Sequence, residues 1–137
     1  MTFQEIIAEV EKFHNAFGIS NAYTPQLVSK DDAILRYKLM REENEEYLEA
    51  CENDDLVEVA DALGDQLYIL CGTLLKHGMQ DKIEEVFREI QRSNMSKLDK
   101  NGNPIVNDGI IDPTRPVGKV LKSDQYSQPN IKKILYT

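Results

Sequence analysis

The sequence contains no tryptophan, only two cysteines and no long apolar run. A membrane-spanning helix needs about 18 consecutive apolar residues, so we expect no membrane association. The opening residues, MTFQEIIAEVEKFH, show no basic region and no cleavage site, and we expect no signal peptide. Cys51 and Cys71 lack metal-ligand spacing, which predicts reduced thiols in a cytoplasmic protein.

Positive charge is also scarce. The chain has 24 Asp and Glu residues against 16 Lys and Arg residues, a formal net charge of −8. Proteins that coat nucleic acid normally present a basic face, so we expect no nucleic-acid partner. The acidic balance instead suits a protein that holds cations.

Proline is almost absent from the first part of the chain and common in the last part. Residues 1–98 contain one proline, whereas residues 99–137 contain four, together with the turn signals DKNG, NDG and PVGK. A length of 137 residues with 41% apolar residues fits one domain. We therefore predict a single domain over residues 1–137, with a helical body (1–98) and an irregular or hairpin-bearing arm (99–137) folded onto it.

Apolar residues recur every three or four positions through most of the body, which predicts helices. Thr2, Ser29 and either Asp54 or Asp55 are suitable N-caps for the first three helices. Short connections make the last three helices antiparallel neighbours. The predicted fold is all-α, an antiparallel four-helix bundle with an irregular C-terminal arm. The four helices are predicted over about residues 3–17, 30–51, 55–77 and 81–97.

Ionisable residues stand where several apolar stripes would continue. On the third helix we expect the leucine-rich stripe from Leu56 to Leu74 to be buried, while a neighbouring stripe carries Glu58 and Asp61. On the second helix an apolar stripe leads directly to acidic residues. These are Glu42, Glu43 and Glu46.

Carboxylates three or four residues apart share one helical face and repel each other. A hard divalent cation with oxygen ligands relieves that repulsion, whereas a solvated acidic face is the alternative interpretation. Glu58 and Asp61 lie within the otherwise apolar segment VEVADALGDQLYIL, which favours a metal site. Di-iron bundles carry Glu-x-x-His on two helices, whereas this sequence has it once, at Glu11 and His14, so the carboxylates indicate Mg²⁺, or Mn²⁺, rather than iron or zinc.

The segments REENEEYLEA and DLVEVADALGDQLYIL together resemble the paired motif of the all-α nucleoside triphosphate pyrophosphohydrolases, the MazG-like and phosphoribosyl-ATP-pyrophosphohydrolase-like proteins. The similarity extends through SNMSKLDKNG and PVGKVLKSDQY, and covers the chain from about Tyr23 onward. The spacer between the two halves, Tyr47 to Val57, is short for this family, which leaves the substrate class open. The metal ligands that this motif predicts are Glu43, Glu46, Glu58 and Asp61.

The resemblance implies hydrolysis of a nucleoside triphosphate, or a related nucleotide, between its α and β phosphates, giving a nucleoside monophosphate and pyrophosphate. Such chemistry depends on positioning and on neutralising phosphate charge with metal ions. A carboxylate not fully committed to the metal can accept the proton of the attacking water. The catalytic candidates are Glu42 and Glu46.

Basic and polar residues in the second half are candidates for phosphate and base contacts. Asn94 continues an apolar stripe of the fourth helix, which favours an inward-facing hydrogen bond. Asp65 is a candidate to support the metal ligands from outside, or to pair with a lysine. The predicted substrate-binding residues are Asn94, Lys97, Lys119, Lys122 and Tyr126.

A non-catalytic acidic helical module for oligomerisation or interaction is the alternative function. Glu58 and Asp61 discriminate against it, because a silent module gains nothing from carboxylates on an inner stripe. In either case more than one apolar stripe per helix predicts a homodimer or homotetramer, since a lone bundle of this size would leave apolar surface exposed.

Overall fold

The computed structural model describes residues 1–137 and confirms the all-α fold class, with four main helices and a minor C-terminal segment. The predicted hairpin in the arm is present, and a short fifth helix was not predicted. The elements are α1 (Phe3–Ala16), α2 (Lys30–Glu52), α3 (Leu56–Lys76), α4 (Ile83–Met95), β1 (Ile105–Val106), β2 (Val120–Leu121) and α5 (Ile131–Leu135).

The chain divides into two compact units, residues 1–81 and residues 82–137. The first unit therefore holds three of the main helices, and α4 falls with the C-terminal segment rather than with a body ending at residue 98. A single domain over residues 1–137 stays a prediction. None of the helices combines the length and the apolar character needed to cross a membrane.

Local side chains explain where the first three helices begin. The side chains of Thr2, Ser29 and Asp55 each accept a hydrogen bond from the backbone N–H three residues later, as N-caps do. The fourth helix begins at Ile83, later than predicted, and Lys82 provides no side-chain cap. The caps that the local sequence predicts are therefore the ones that the fold uses, with Asp55 rather than Asp54 at α3.

In the first unit, α3 contacts both α1 and α2. The buried apolar side chains come mainly from α1 and from the C-terminal half of α3, including Ile7, Val10, Cys71 and Leu75. Gly78 ends α3 with a φ of 67°, and a Cβ there would lie 2.1 Å from the carbonyl oxygen of Thr24. Only glycine fits this combination of left-handed backbone and close approach.

The leucine-rich stripe of α3 is largely exposed, so the expectation of a buried seam is wrong. Of this stripe only Leu74 is buried, whereas Leu63, Leu67 and Leu70 are 49%, 38% and 41% exposed. The helix instead turns a face with Ala62 and Gly72 inward. Small residues permit close approach of a neighbouring helix, whereas apolar periodicity does not reveal which stripe a neighbour covers.

In the second unit, α4 contacts α5, and β1 pairs with β2 in an antiparallel hairpin. The loop between the strands is organised by Asn107, which is 1% exposed. Its side-chain amide donates to the carbonyl oxygens of Asp112, Arg115 and Pro116, and its side-chain oxygen accepts from the backbone N–H groups of Gly109 and Asp112. One buried side chain thus closes the loop.

Candidate metal centre

Three carboxylates converge where the middle of α2 faces α3. Glu43, Glu46 and Asp65 each offer one oxygen, and these three oxygens lie within 4.8 Å of one another. Glu43 and Asp65 are partly buried, and Glu46 is exposed. One oxygen of Glu43, Oε2, is buried and has no hydrogen-bond partner. The group is therefore accessible to solvent at Glu46 and contains a buried acceptor, Oε2 of Glu43, that has no hydrogen-bond donor.

The electrostatics of this group favour a cation. Burial, then a hydrogen bond to Glu46 and repulsion from Glu46, Asp65 and Glu42, raise the pKa of Glu43 to about 7. Burial also raises the pKa of Asp65, with repulsion from Asp61 and Glu46 as further causes. No Lys or Arg forms an ion pair with Glu43, Glu46 or Asp65. Mutual repulsion without a protein cation is what a bound metal ion would relieve.

The other predicted ligands, Glu58 and Asp61, lie on the N-terminal side of Asp65 on α3. Both are exposed, and together with Glu46 they line a cleft of about 210 Å³ beside the α2–α3 turn. The structure thus places Glu46 both in the carboxylate group and on this cleft. Glu58 and Asp61 do not belong to the group of three carboxylates whose oxygens lie within 4.8 Å of one another. The charge of Asp61 nevertheless helps to raise the pKa of Asp65.

Asp65 is the group member that the sequence pattern did not assign as a ligand. It lies seven residues after Glu58, two helical turns along the same face of α3. Sequence spacing alone does not distinguish Asp61 from Asp65, because both share a stripe with Glu58. The alignment of α2 against α3 decides which of them meets Glu43.

The residues present fit a hard divalent cation. The group offers only carboxylate oxygens, which Mg²⁺ and Mn²⁺ accept, and contains no thiolate or imidazole that would favour zinc. The buried Oε2 of Glu43 has no hydrogen-bond partner and so remains available as an acceptor. Glu42 precedes the group on α2, is exposed and is not part of it.

Comparison with known protein families matches residues 3–94 to the phosphoribosyl-ATP pyrophosphohydrolase family. The chain belongs to this family. The match covers all of α1, α2 and α3 and nearly all of α4, and so includes every acidic residue of the candidate centre. No curated protein matches the chain.

Members of the phosphoribosyl-ATP pyrophosphohydrolase family are pyrophosphohydrolases, enzymes that act on acid anhydrides, and are typically metal-dependent. The predicted enzyme class is therefore confirmed, and the acidic group is consistent with the metal site such an enzyme needs. The family also implies a nucleotide substrate. These findings favour the enzyme over the non-catalytic helical module.

The predicted substrate-binding residues all lie in the second unit, and the segment after residue 94 is outside the family match. The structure brings two of them together, because Lys122 Nζ lies 4.5 Å from the centre of the Tyr126 ring. Lys119 is exposed and Lys97 is partly buried. Asn94 is exposed, so its expected inward orientation is wrong, and the neighbouring Ser93 occupies the buried position instead.

Proposed function

We propose that the chain hydrolyses a nucleoside triphosphate, or a related nucleotide, between the α and β phosphates. A water oxygen forms a bond to phosphorus, the phosphoanhydride bond breaks, and the products are a nucleoside monophosphate and pyrophosphate. The convergence of Glu43, Glu46 and Asp65 within the family-matched region is the observation that carries this proposal.

The cofactor we propose is Mg²⁺, with Mn²⁺ as a substitute. Glu43, Glu46 and Asp65 would hold it, and a bound cation would neutralise charge on the phosphate oxygens. Glu58 and Asp61, predicted as ligands from the motif, border the adjoining cleft with Glu46 and remain our candidates for a neighbouring cation position. An acidic protein needs such cations to bind a polyanion.

Glu42 and Glu46 are the residues we propose to accept the proton of the attacking water. Glu42 is the stronger candidate, because it lies beside the carboxylate group without belonging to it. A carboxylate that is free of metal retains a lone pair for proton transfer. Glu46 belongs to the group, so this role would have to share its side chain with metal binding.

Substrate phosphates and base are proposed to contact residues of the second unit. Lys119 and Lys122 form no ion pair with a carboxylate, and so retain their charge for an anionic ligand. Tyr126 offers an aromatic face, which its contact with Lys122 holds in place. The full proposed set is Asn94, Lys97, Lys119, Lys122 and Tyr126.

We also propose that the protein is a homodimer or homotetramer in the cytoplasm. A mainly apolar groove of about 690 Å³ on the first unit is lined by Tyr37, Met40, Leu63, Leu67 and Leu70, together with the polar residues Arg41, Asn44 and Gln66. Exposed apolar surface of this kind on several turns of two helices is suited to a second copy of the chain. Light scattering that finds only a particle of monomer mass at micromolar concentrations would contradict this assembly.

A substrate panel tests the proposed reaction. Nucleoside triphosphates and phosphoribosyl-ATP are incubated with the protein and Mg²⁺, and pyrophosphate release is measured. We expect release that requires the metal and that falls at least about 100-fold in Glu46→Gln, since the altered side chain belongs to the carboxylate group. Glu45→Gln, an exposed neighbour paired with Arg41, is the matched control and should retain turnover. Orthophosphate as the only phosphate product would contradict cleavage between α and β.

A further inference from the structure

Arg36 on α2 is a buried cation with an elaborate set of partners. It is 8% exposed, and its Nε donates to the hydroxyl oxygen of Thr73 at 3.0 Å. Its Nη2 donates to the backbone carbonyl of Ile69 at 2.9 Å, and the Thr73 hydroxyl donates to the same carbonyl at 2.8 Å. No carboxylate lies within ion-pair distance of Arg36, so hydrogen bonds to α3 are its main compensation for burial.

Gly72 on α3 provides the space that this arrangement needs. A Cβ at Gly72 would lie 2.6 Å from Nη2 of Arg36 and 2.9 Å from Nε2 of His14. His14 is 3% exposed, and its Nδ1 lies 2.7 Å from the side-chain oxygen of Asn21. With Nδ1 as the donor in that hydrogen bond, the unprotonated Nε2 faces the guanidinium without adding a second positive charge. Arg36 and His14 can therefore pack against α3 at this position only because Gly72 has no side chain.

The same alignment of the two helices connects this contact to the carboxylate group. Arg36 faces Gly72, and Glu43, seven residues later on α2, faces Asp65, seven residues earlier on α3. Seven residues are two turns, about 10 Å, on each of two antiparallel helices. Any sliding of α2 that breaks the Arg36 contacts therefore also separates Glu43 from Asp65.

Two other polar side-chain contacts join α2 to α3, an exposed hydrogen bond between Gln66 and Asn44 and a 3.8 Å ion pair between Lys76 and Asp32, and neither involves a buried side chain of α2. Of the 23 residues of α2 only Arg36 and Ala50 are buried, and the carboxylate group lies between them. A small residue such as Ala50 has no large side chain to interlock with α3, whereas a buried polar residue can specify the register of paired helices. We propose that Arg36, seated on Gly72, is a positioning residue that sets the register of α2 on α3 and so assembles Glu43, Glu46 and Asp65 into a cation site.

Mn²⁺ binding tests the inference without requiring turnover. Arg36→Met removes the donors and keeps an unbranched apolar side chain, and Gly72→Ala puts a methyl group where the guanidinium lies. We expect each to weaken Mn²⁺ binding roughly tenfold, as loss of groups that orient ligands typically does, while helical content by circular dichroism is retained. The matched controls are Arg41→Met, an exposed arginine of α2, and Gly64→Ala, a glycine of α3 with open space around it. Gly64→Ala should bind Mn²⁺ like the wild type, and Arg41→Met should bind it no more weakly.

The sign of the change separates positioning from simple electrostatics. Arg36 carries a positive charge about two turns from the site, so its removal by electrostatics alone would tighten Mn²⁺ binding. Loss of register weakens it. Unchanged or tighter Mn²⁺ binding in a folded Arg36→Met protein would overturn the proposal. Arg36→Lys keeps the charge but offers fewer directed donors, and we expect it to recover only part of the affinity.

Cross-linking measures the register directly. The side chains of Asn44 and Gln66 touch across the two helices, since Gln66 Nε2 donates to Asn44 Oδ1 at 3.2 Å. Asn44→Cys and Gln66→Cys, introduced together with Cys51→Ser, should be joined by a short reagent that links two thiols, and adding Arg36→Met should slow this cross-linking. If Arg36→Met does not fold, Arg36→Lys decides the matter, and an unchanged cross-linking rate and Mn²⁺ affinity in that variant would overturn the proposal.

This inference rests on the proposed metal site, but the two fail differently. A wild-type protein that binds no Mn²⁺ would refute the metal site, whatever the cross-linking shows. A wild-type protein that binds Mn²⁺, with Arg36→Met equal to it in both assays, would refute only the positioning role.

Discussion

Glu43 on α2 and Glu89 on α4 are both partly buried helical glutamates, yet their surroundings are opposite. Glu89 accepts hydrogen bonds from Nε and Nη2 of Arg92 and from the backbone N–H of Asn130. Arg92 and that backbone hydrogen bond lower the pKa of Glu89 to about 2. Glu43 has only carboxylates as charged neighbours, one oxygen without a partner and a pKa raised to about 7.

The difference shows how a structural carboxylate can be told from one kept for a ligand. Glu89 ties the loop before α5 to α4, and every partner it needs is supplied by the chain. Glu43 is left in a setting that costs stability in the free protein. A bound cation would stabilise such an arrangement, which supports the proposed metal site.

The largest effect we expect comes from the carboxylate group itself. Asp65→Asn removes a charged oxygen donor from the group, and we expect turnover to fall at least about 100-fold and Mn²⁺ affinity to fall with it. Glu58→Gln alters an exposed side chain outside the group and should cost less. Isothermal titration with Mn²⁺ and pyrophosphate release measure both. A larger loss in Glu58→Gln would instead place the essential cation in the adjoining cleft.

A smaller effect is expected from the unpaired cations of the second unit. Lys119→Ala and Lys122→Ala should each raise the KM for nucleotide, by roughly tenfold, because a charge-assisted contact to phosphate is lost. Mn²⁺ affinity and the melting temperature should stay close to those of the wild type. Arg88→Ala, an exposed cation on α4, provides the control. Unchanged KM and kcat in both lysine variants would remove the arm from substrate binding.

Glu43→Gln tests how much the repulsion among the carboxylates destabilises the metal-free protein. The pKa of Glu43 is raised in the folded protein, so the folded state binds more protons than the unfolded state between about pH 4.5 and 7, and stability falls as the pH rises through that range. An amide does not titrate. We therefore expect Glu43→Gln to unfold at a higher urea concentration than the wild type at pH 8 without metal, with no such gain at pH 4. Equal midpoints at pH 8 would contradict the raised pKa.

The smallest effect, opposite in sign, is expected at Glu89. Its folded-state pKa is lowered, so it stabilises the protein above about pH 4.5, and this contribution is lost as the pH falls towards 2. Glu89→Gln should lower the melting temperature by a few degrees at pH 7, and the difference should shrink steadily on acidification. Glu85→Gln on the same helix, whose side chain forms no ion pair, is the control. A difference that is constant with pH would indicate a packing effect instead.

Local features of this fold follow from the sequence, and its long-range alignments do not. The caps at Thr2, Ser29 and Asp55 depend on residues next to the helix they begin, and local sequence predicts them. The convergence of acidic residues from α2 and α3 is also predictable, because carboxylates three residues apart share one helical face and a short turn makes the two helices neighbours. Which acid of α3 meets Glu43 depends on how Arg36 sits on Gly72, and no spacing within α3 encodes that.

The exposed leucines show the same limit. Periodicity correctly predicts an apolar stripe on α3, but placing that stripe in the interior requires a neighbouring helix that covers it. The structure turns Ala62 and Gly72 inward and leaves Leu63 and Leu67 outside. The expected inward position of Asn94 fails for the same reason on α4, where the buried position is Ser93.

The single asparagine that closes the hairpin loop makes that loop behave as one unit. Asn107 holds the backbone N–H groups of Gly109 and Asp112 through its side chain, and its own carbonyl accepts from the N–H of Gly118. Displacing the Asn107 side chain releases the Gly109 and Asp112 amides together, because both donate to its side-chain oxygen. Hydrogen exchange at Gly109 and Asp112 should therefore proceed through one common opening. In Asn107→Asp a carboxylate oxygen would face the carbonyl oxygens of Asp112, Arg115 and Pro116, and we expect faster exchange at both amides.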